Sequence, residues 1–311
     1  MRNGSDSEDS ELLRTFDALL VNVHQLWMTP DWLTALPAYP KQRKARIVYF
    51  SRESASYTYT GAEELPGSYF NWSMTYQHDA DVPFPYGRVA ALATNYSTTQ
   101  LAEMKDQWLA EVQLKSQTIV WIVNKCQTMS RREAYVDQLR QYIDVDICGR
   151  CGDSVCDYNK MADRYKFYLA FEDSLCDDYV TEGFYEALDS HVVPVVLGGA
   201  NYSQMAPNHS FVDATYRTPE ELADVLRQLD GDDEAYVEYF AWKADYRVET
   251  GVAAMARRAF CDLCAKLHED VTPKTYASMV ESMGSENQCR HNHLPWFENT
   301  NGSVDTGSKY T

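Results

Sequence analysis

Carboxylates crowd one stretch of this chain. Phe171-Glu172-Asp173-Ser174 closes an apolar run that begins at Tyr165, and Asp177, Asp178 and Glu182 follow before Phe184. An ionised carboxylate accepts two donors, so such groups suit ribose or sugar hydroxyls better than phosphate. An acidic helix start that complements the macrodipole would explain them equally well. A second constellation is Arg131-Arg132 in SRREAYVDQL (130–139). Arginine at a helix start opposes the dipole, so helix stability does not account for it. A guanidinium fork aimed at a pyrophosphate does, and a solvated surface pair is the plainer reading. Glu53 in SRESAS (51–56) is a third carboxylate, whose bland reading is a loop group paired with Arg52.

The elements that must hold these residues alternate. TIVWIV (118–123) is a continuous apolar run, as in a buried parallel strand. The pattern predicts a helix over about 129–141, strand IDVDI, strand FYLAF (167–171), a helix over 180–189 and strand VVPVVLG (192–198). Helices at 219–229, 232–243 and roughly 249–267 complete it. This is an α/β doubly wound order, and it puts residues 172–183 at the carboxyl end of a parallel sheet, where such sheets bind ligands beside helix N-termini. In the N-terminal half, FDALLVNVH (16–24) and RIVYF (46–50) read as strands, 51–100 as loop-rich, and 101–113 as a helix. The expected divisions are an acidic disordered start (1–10), an N-terminal domain (11–113), a C-terminal domain (114–268) and a polar tail (269–311).

The net charge of −18 argues against nucleic-acid binding by phosphate neutralisation. No run of about 20 apolar residues or signal-peptide core is present. Asn-x-Ser sequons at Asn3, Asn71, Asn95, Asn201, Asn208 and Asn301 point to the secretory pathway. Eight cysteines agree and read first as disulfides. The pairs Cys148/Cys151 and Cys261/Cys264 could supply zinc ligands, but they lie further apart in sequence than zinc knuckles usually do. A lumenal chain without a targeting segment is expected to lack its N-terminal piece.

FEDS…DYVTE, VVPVVLGGANYSQMAPNHSFVDA (192–214), FNWSMTYQHDADVPFPYG (70–87) and RIVYFSRESASYTY (46–59) together resemble the α-1,3-fucosyltransferase family, glycosyltransferase family 10. The resemblance runs from about residue 16 to about 268. It implies a GT-B-like fold of two facing Rossmann-like domains, the N-terminal one apparently incomplete, with GDP-fucose on the C-terminal domain. It implies transfer of fucose, with inversion, to the 3-hydroxyl of a GlcNAc in an acceptor glycan, with a weak lean towards antenna glycans. No cofactor is required, although Mn2+ or Mg2+ stimulation is allowed for. Family members are type II Golgi membrane proteins, here without the anchor. Glu53 falls on the proposed general base, Arg132 on the diphosphate-binding arginine, and Lys166, Glu172, Asp173, Tyr179, Val180 and Glu182 on the nucleotide-sugar pocket.

The departures are chemical. The family has FENS where this chain has FEDS, so Asp173 replaces an amide with a charge. It has Ser-Asn-Cys where this chain has Asn124-Lys125-Cys126. It has Tyr-Val-Thr-Glu-Lys where this chain ends the motif at Gly183, removing a cation from the leaving diphosphate. Lys125 is the candidate replacement. The alternative is a family member that binds donor or glycan without turnover.

Overall fold

The computed structural model describes residues 15–26, 45–58, 67–152, 156, 160–284 and 288–290. The acidic start, the sequons at Asn3 and Asn301, most of the basic patch at 41–46 and the tail beyond 290 lie outside them. The chain divides into two compact units. The first comprises Met1–Pro85, Cys176–Asp178 and Val252–Cys289, and the second Tyr86–Leu175, Tyr179–Gly251 and Arg290–Thr311. Among the described residues, no helix is long and apolar enough to cross a membrane.

The first unit holds a parallel sheet in the order β1-β2-β3-β4, from Ala18–Asn22, Arg46–Ser51, Trp72–Thr75 and Val82–Pro83. A short helix α1 (Val23–Leu26) follows β1. One face buries Val48, Trp72, Met74 and Val82 against Met255, Ala259 and Leu263 of a later helix, Val252–Glu269. The other buries Ile47, Tyr49 and Phe70 with Met279. β3 is buried at all four positions. WSMT therefore shows no alternation, which is why the sequence there reads as loop.

The second unit begins with β5 (Gly87–Ala91) and α2 (Thr98–Val112). Ser97 starts α2 as a capping box with Gln100, satisfying otherwise orphaned N–H groups. Next come β6 (Gln117–Ile122), α3 (Arg132–Leu139), β7 (Asp146–Cys148), α4 (Met161–Arg164), β8 (Tyr165–Phe171), α5 (Glu182–Asp189), β9 (Val193–Leu197), α6 (Tyr202–Met205), β10 (Val212–Asp213) and α7 (Pro219–Asp230). The expected helix over 232–243 is α8 (Asp233–Val237) continued as a 3-10 helix, Glu238–Ala244. β11 (Tyr246–Thr250) then pairs antiparallel with β5. α9 is Val252–Glu269 and α10 is Met279–Met283.

The parallel sheet runs β10-β9-β8-β6-β7. Phe167, Leu169 and Phe171 of β8 join the core with α2, α3 and α7, while Tyr168 and Ala170 join the core with α5 and α6. All seven β8 residues are buried, as expected of a central strand covered on both faces. Residues 86–112, placed by sequence in the N-terminal half, belong to the second unit, and 252–268 belong to the first. β5 pairs with β11, and α9 supplies apolar residues to the first sheet. Contacts far apart in sequence draw those boundaries.

Disulfides join Cys126–Cys151, Cys148–Cys156 and Cys176–Cys289, and Cys261 and Cys264 are free thiols exposed on α9. Cys148 and Cys151 thus have separate partners and make no zinc knuckle.

Candidate active site

The strand order decides where to look. β6 leads to β7 on one side, and the chain then returns to place β8 on the other side of β6. Ligands of doubly wound sheets bind at this switch point, beyond the carboxyl ends of the two strands. Beyond β6 lies Lys125, and beyond β8 lie Glu172 and Asp173. Lys125 Nζ contacts Asp173 Oδ2 at 2.6 Å across that crevice. Two of the three departures from the family motif therefore meet as one ion pair. The charge that Asp173 introduces is matched by the charge on Lys125, so Lys125 is not an isolated cation waiting for phosphate.

Glu172 is 2 % exposed, and its Oε1 accepts the Thr181 amide at 2.8 Å. Thr181 is the residue before α5 and makes no side-chain cap of its own, so Glu172 supplies the acceptor that the helix start needs. Burial first, then the charge of Asp173, raises the Glu172 carboxyl from 4.5 to about 8, against the Thr181 hydrogen bonds and Arg132, which lower it. At neutral pH the group is largely protonated and can donate as well as accept.

Loop 128–131 is pinned to the same strand end. Ser130 Oγ donates to the Glu172 carbonyl at 2.7 Å, and Ser130 N donates to the Asp173 carbonyl at 3.0 Å. Arg131 sits in the left-handed region (φ 55°), which is costly for a side chain of its size. Arg132 opens α3, donates from one guanidinium nitrogen to the Phe171 carbonyl and lies 5.7 Å from the Trp121 ring centroid. Its Nε is buried and has no hydrogen-bond partner among the described residues.

Tyr179 and Val180 are buried beside this strand end, with Tyr179 edge-on to Tyr86 at 6.3 Å. Glu182 is exposed on the first turn of α5. A Cβ on Gly183 would lie 3.1 Å from Tyr168 Oη, so the ring of Tyr168 stands where a side chain at 183 would begin. Lys166 is a correction. It lies at the amino end of β8, where Nζ bonds the Asp230 carbonyl at 2.7 Å and Asp233 at 2.9 Å. Strand geometry puts it roughly 16 Å along β8 from Phe171. It braces α7 and α8 and does not belong with Glu172.

Glu53 belongs to the first unit. It is half-buried in the loop after β2, where its carbonyl accepts from Ser51 Oγ at 3.4 Å and Thr58 Oγ1 at 3.3 Å. Sequence reading missed Ser130 and Tyr202. Tyr202 Oη is buried with no hydrogen-bond partner among the described residues. A Cβ on Gly198 would meet it at 2.4 Å and Glu172 Cγ at 3.3 Å, so only glycine leaves room there. Serine in a turn and tyrosine in a core look ordinary in sequence, and no spacing signal marked either.

Among the sequons, Asn95, Asn201 and Asn208 are exposed. Asn71 is half-buried, accepting from Ile47 N at 2.7 Å and donating to the Lys274 carbonyl at 3.1 Å, so its amide already bridges backbone.

The family model "Fucosyltransferase, N-terminal" matches residues 5–87, and "Glycosyltransferase family 10 (fucosyltransferase) C-term" matches residues 112–282. The chain belongs to glycosyltransferase family 10. It is 36 % identical over 253 residues to alpha-(1,3)-fucosyltransferase C of Drosophila melanogaster, covering 75 % of this chain and 55 % of that one. It is 32 % identical over 268 residues to the 4-galactosyl-N-acetylglucosaminide 3-alpha-L-fucosyltransferase FUT6 of Homo sapiens, covering 84 % and 70 %. The matched stretches thus span 55 % and 70 % of these two relatives' lengths. A crystal structure of an alpha1,3-fucosyltransferase with GDP-fucose matches with a TM-score of 0.50 at 18 % identity, over 76 % of this chain and 78 % of that one. The likeness is one of fold, and this family 10 member shares the GT-B-like α/β class.

Proposed function

We propose that this family 10 member transfers fucose from GDP-fucose, with inversion, to the 3-hydroxyl of a GlcNAc in a glycoprotein or glycolipid glycan, in the Golgi lumen. The observation that carries the reading is the ordered family match across both halves of the chain. The carboxyl-rich strand end at the switch point supports the donor side. In the reaction the acceptor hydroxyl attacks the anomeric carbon, the bond to the diphosphate oxygen breaks, and Glu53 takes the hydroxyl proton. GDP leaves with its new charge met by Arg132, whose fork suits a diphosphate. Glu172, Glu182 and Tyr179 hold the nucleotide sugar. No metal is required, and Mn2+ or Mg2+ would at most stimulate.

Calorimetric titration of GDP and GDP-fucose, with fucose transfer to a GlcNAc-containing acceptor followed on the same sample, tests this. Binding with transfer supports it. A folded protein that binds neither nucleotide overturns it.

Gly183 favours a second reading, a donor-binding protein without turnover. A cation lost from a departing diphosphate costs about 2–4 kcal/mol in the transition state. A Cβ at 183 would sit 3.1 Å from Tyr168 Oη and 3.2 Å from its Cε1, so Gly183→Lys needs that ring to give slightly, and Tyr168→Phe removes the nearer of the two contacts. The double variant is expected to raise kcat by roughly 10²-fold. An unchanged kcat with unchanged donor affinity would remove Gly183 as the defect.

A further inference from the structure

The second unit carries a cavity that shares no lining residue with the switch-point cluster. It has a volume of about 370 Å3 and lies between α2 and the α8/3-10 segment, within the range of roughly 300–1,000 Å3 usual for small-ligand sites. Its apolar wall includes Leu101 and Trp108, and its rim includes Tyr96, Glu238 and Asp245. Leu101 is 40 % exposed and lines the cavity with the buried Trp108, so part of this apolar wall faces solvent.

The chemistry of the lining narrows the occupant. Lys105 Nζ is held by Glu234 and Glu238, both at 2.8 Å, so its charge is already matched. Carboxylates at the rim accept from hydroxyls, and aromatic and aliphatic walls suit the C–H face of a sugar ring. A neutral sugar fits this lining and a phosphate does not. The source of that sugar is written beside the cavity. Asn95 itself lines it, is exposed, and heads the sequon Asn95-Tyr96-Ser97. The three disulfides are of the kind that forms in oxidising compartments, where such asparagines are modified.

We propose that Asn95 is N-glycosylated and that the first sugars of its own glycan fold back into this cavity. The modification joins the anomeric carbon of an oligosaccharyl polyprenyl-diphosphate donor to Asn95 Nδ2. The polyprenyl diphosphate leaves, and the amide loses one proton. The seated glycan covers Leu101 and Trp108 and ties the β5–α2 loop to the 3-10 helix.

The test uses the full chain made in a eukaryotic secretory host. Native protein is treated with peptide N-glycosidase, and release at each site is followed by glycopeptide mass spectrometry. Asn208 and Asn201 are exposed and do not line the cavity, so they serve as internal references. The expected result is an occupied Asn95 whose glycan is released at least about tenfold more slowly than that on Asn208, a difference abolished by denaturation. Leu101→Asp, or Ala241→Glu should the first variant fail to fold, is expected to remove the protection without lowering occupancy. An unoccupied Asn95, release as fast as at Asn208, or protection that survives both substitutions overturns the proposal.

Discussion

At the scale of single residues, the switch point rests on two linked charges and one buried carboxyl. Lys125 and Asp173 are partners, so changing one alone should cost more than changing both. Lys125→Ala leaves a nearly buried carboxylate unpaired. Its cost is moderated because Lys125 itself is half exposed. Urea unfolding of the two single variants, Lys125→Ala and Asp173→Asn, and of the double variant should give a coupling of about 1 kcal/mol. Additive effects would show that the pair does not act as a unit. Glu172 makes a pH prediction. A carboxyl raised from 4.5 to about 8 in the folded protein binds its proton more tightly there than in the unfolded chain. More protons are bound when folded, so stability is full below about 4.5 and falls as pH rises to about 8. The loss is of the order of 3–5 kcal/mol at most. Glu172→Gln keeps an acceptor for Thr181 N and should flatten the curve. An unchanged slope between pH 5 and 8 would remove Glu172 as its source.

At the scale of elements, α9 has a load that its own sequence does not advertise. Its Met255, Ala259 and Leu263 recur at helical spacing and fill one face of the first sheet. Met255→Ala deletes a side chain that is 2 % exposed, and should cost about 2–4 kcal/mol in thermal or urea unfolding. Phe260→Ala, on a position 47 % exposed, should cost much less. Equal losses would mean the helix is not seated through the Met255 face. The helical period made that face legible in the sequence. The surface it covers was not legible, because an amphipathic helix specifies that it needs an apolar partner but not which one.

At the scale of the molecule, the first unit is assembled from three separated pieces of chain. Residues 1–113 alone lack α9, α10 and the Cys176–Cys289 disulfide that belong to the first unit's core and bonding. They also carry β5 and α2, which pack in the second unit. A fragment ending at 113 should therefore show no cooperative thermal transition by circular dichroism. A two-state melt would show that the four-stranded sheet suffices without α9.

The sequence by itself determined the local facts. Apolar runs marked the parallel strands, because a strand covered on both faces has no polar side. Their alternation with helices implied a doubly wound order, which put residues 172–183 at the carboxyl end of a parallel sheet, while the strand pairing showed that this end is the switch point. The long motifs placed the chain in its family. Tertiary structure decided what periodicity cannot reach. It paired Lys125 with Asp173, 48 positions apart in the chain. It left Lys166 at the amino end of β8, the end opposite Glu172, although the two are close in sequence. It set Tyr168 against Gly183 and left Tyr202 Oη buried beside Glu172. These are distances across a fold, and they arise only when strands distant in sequence come into register.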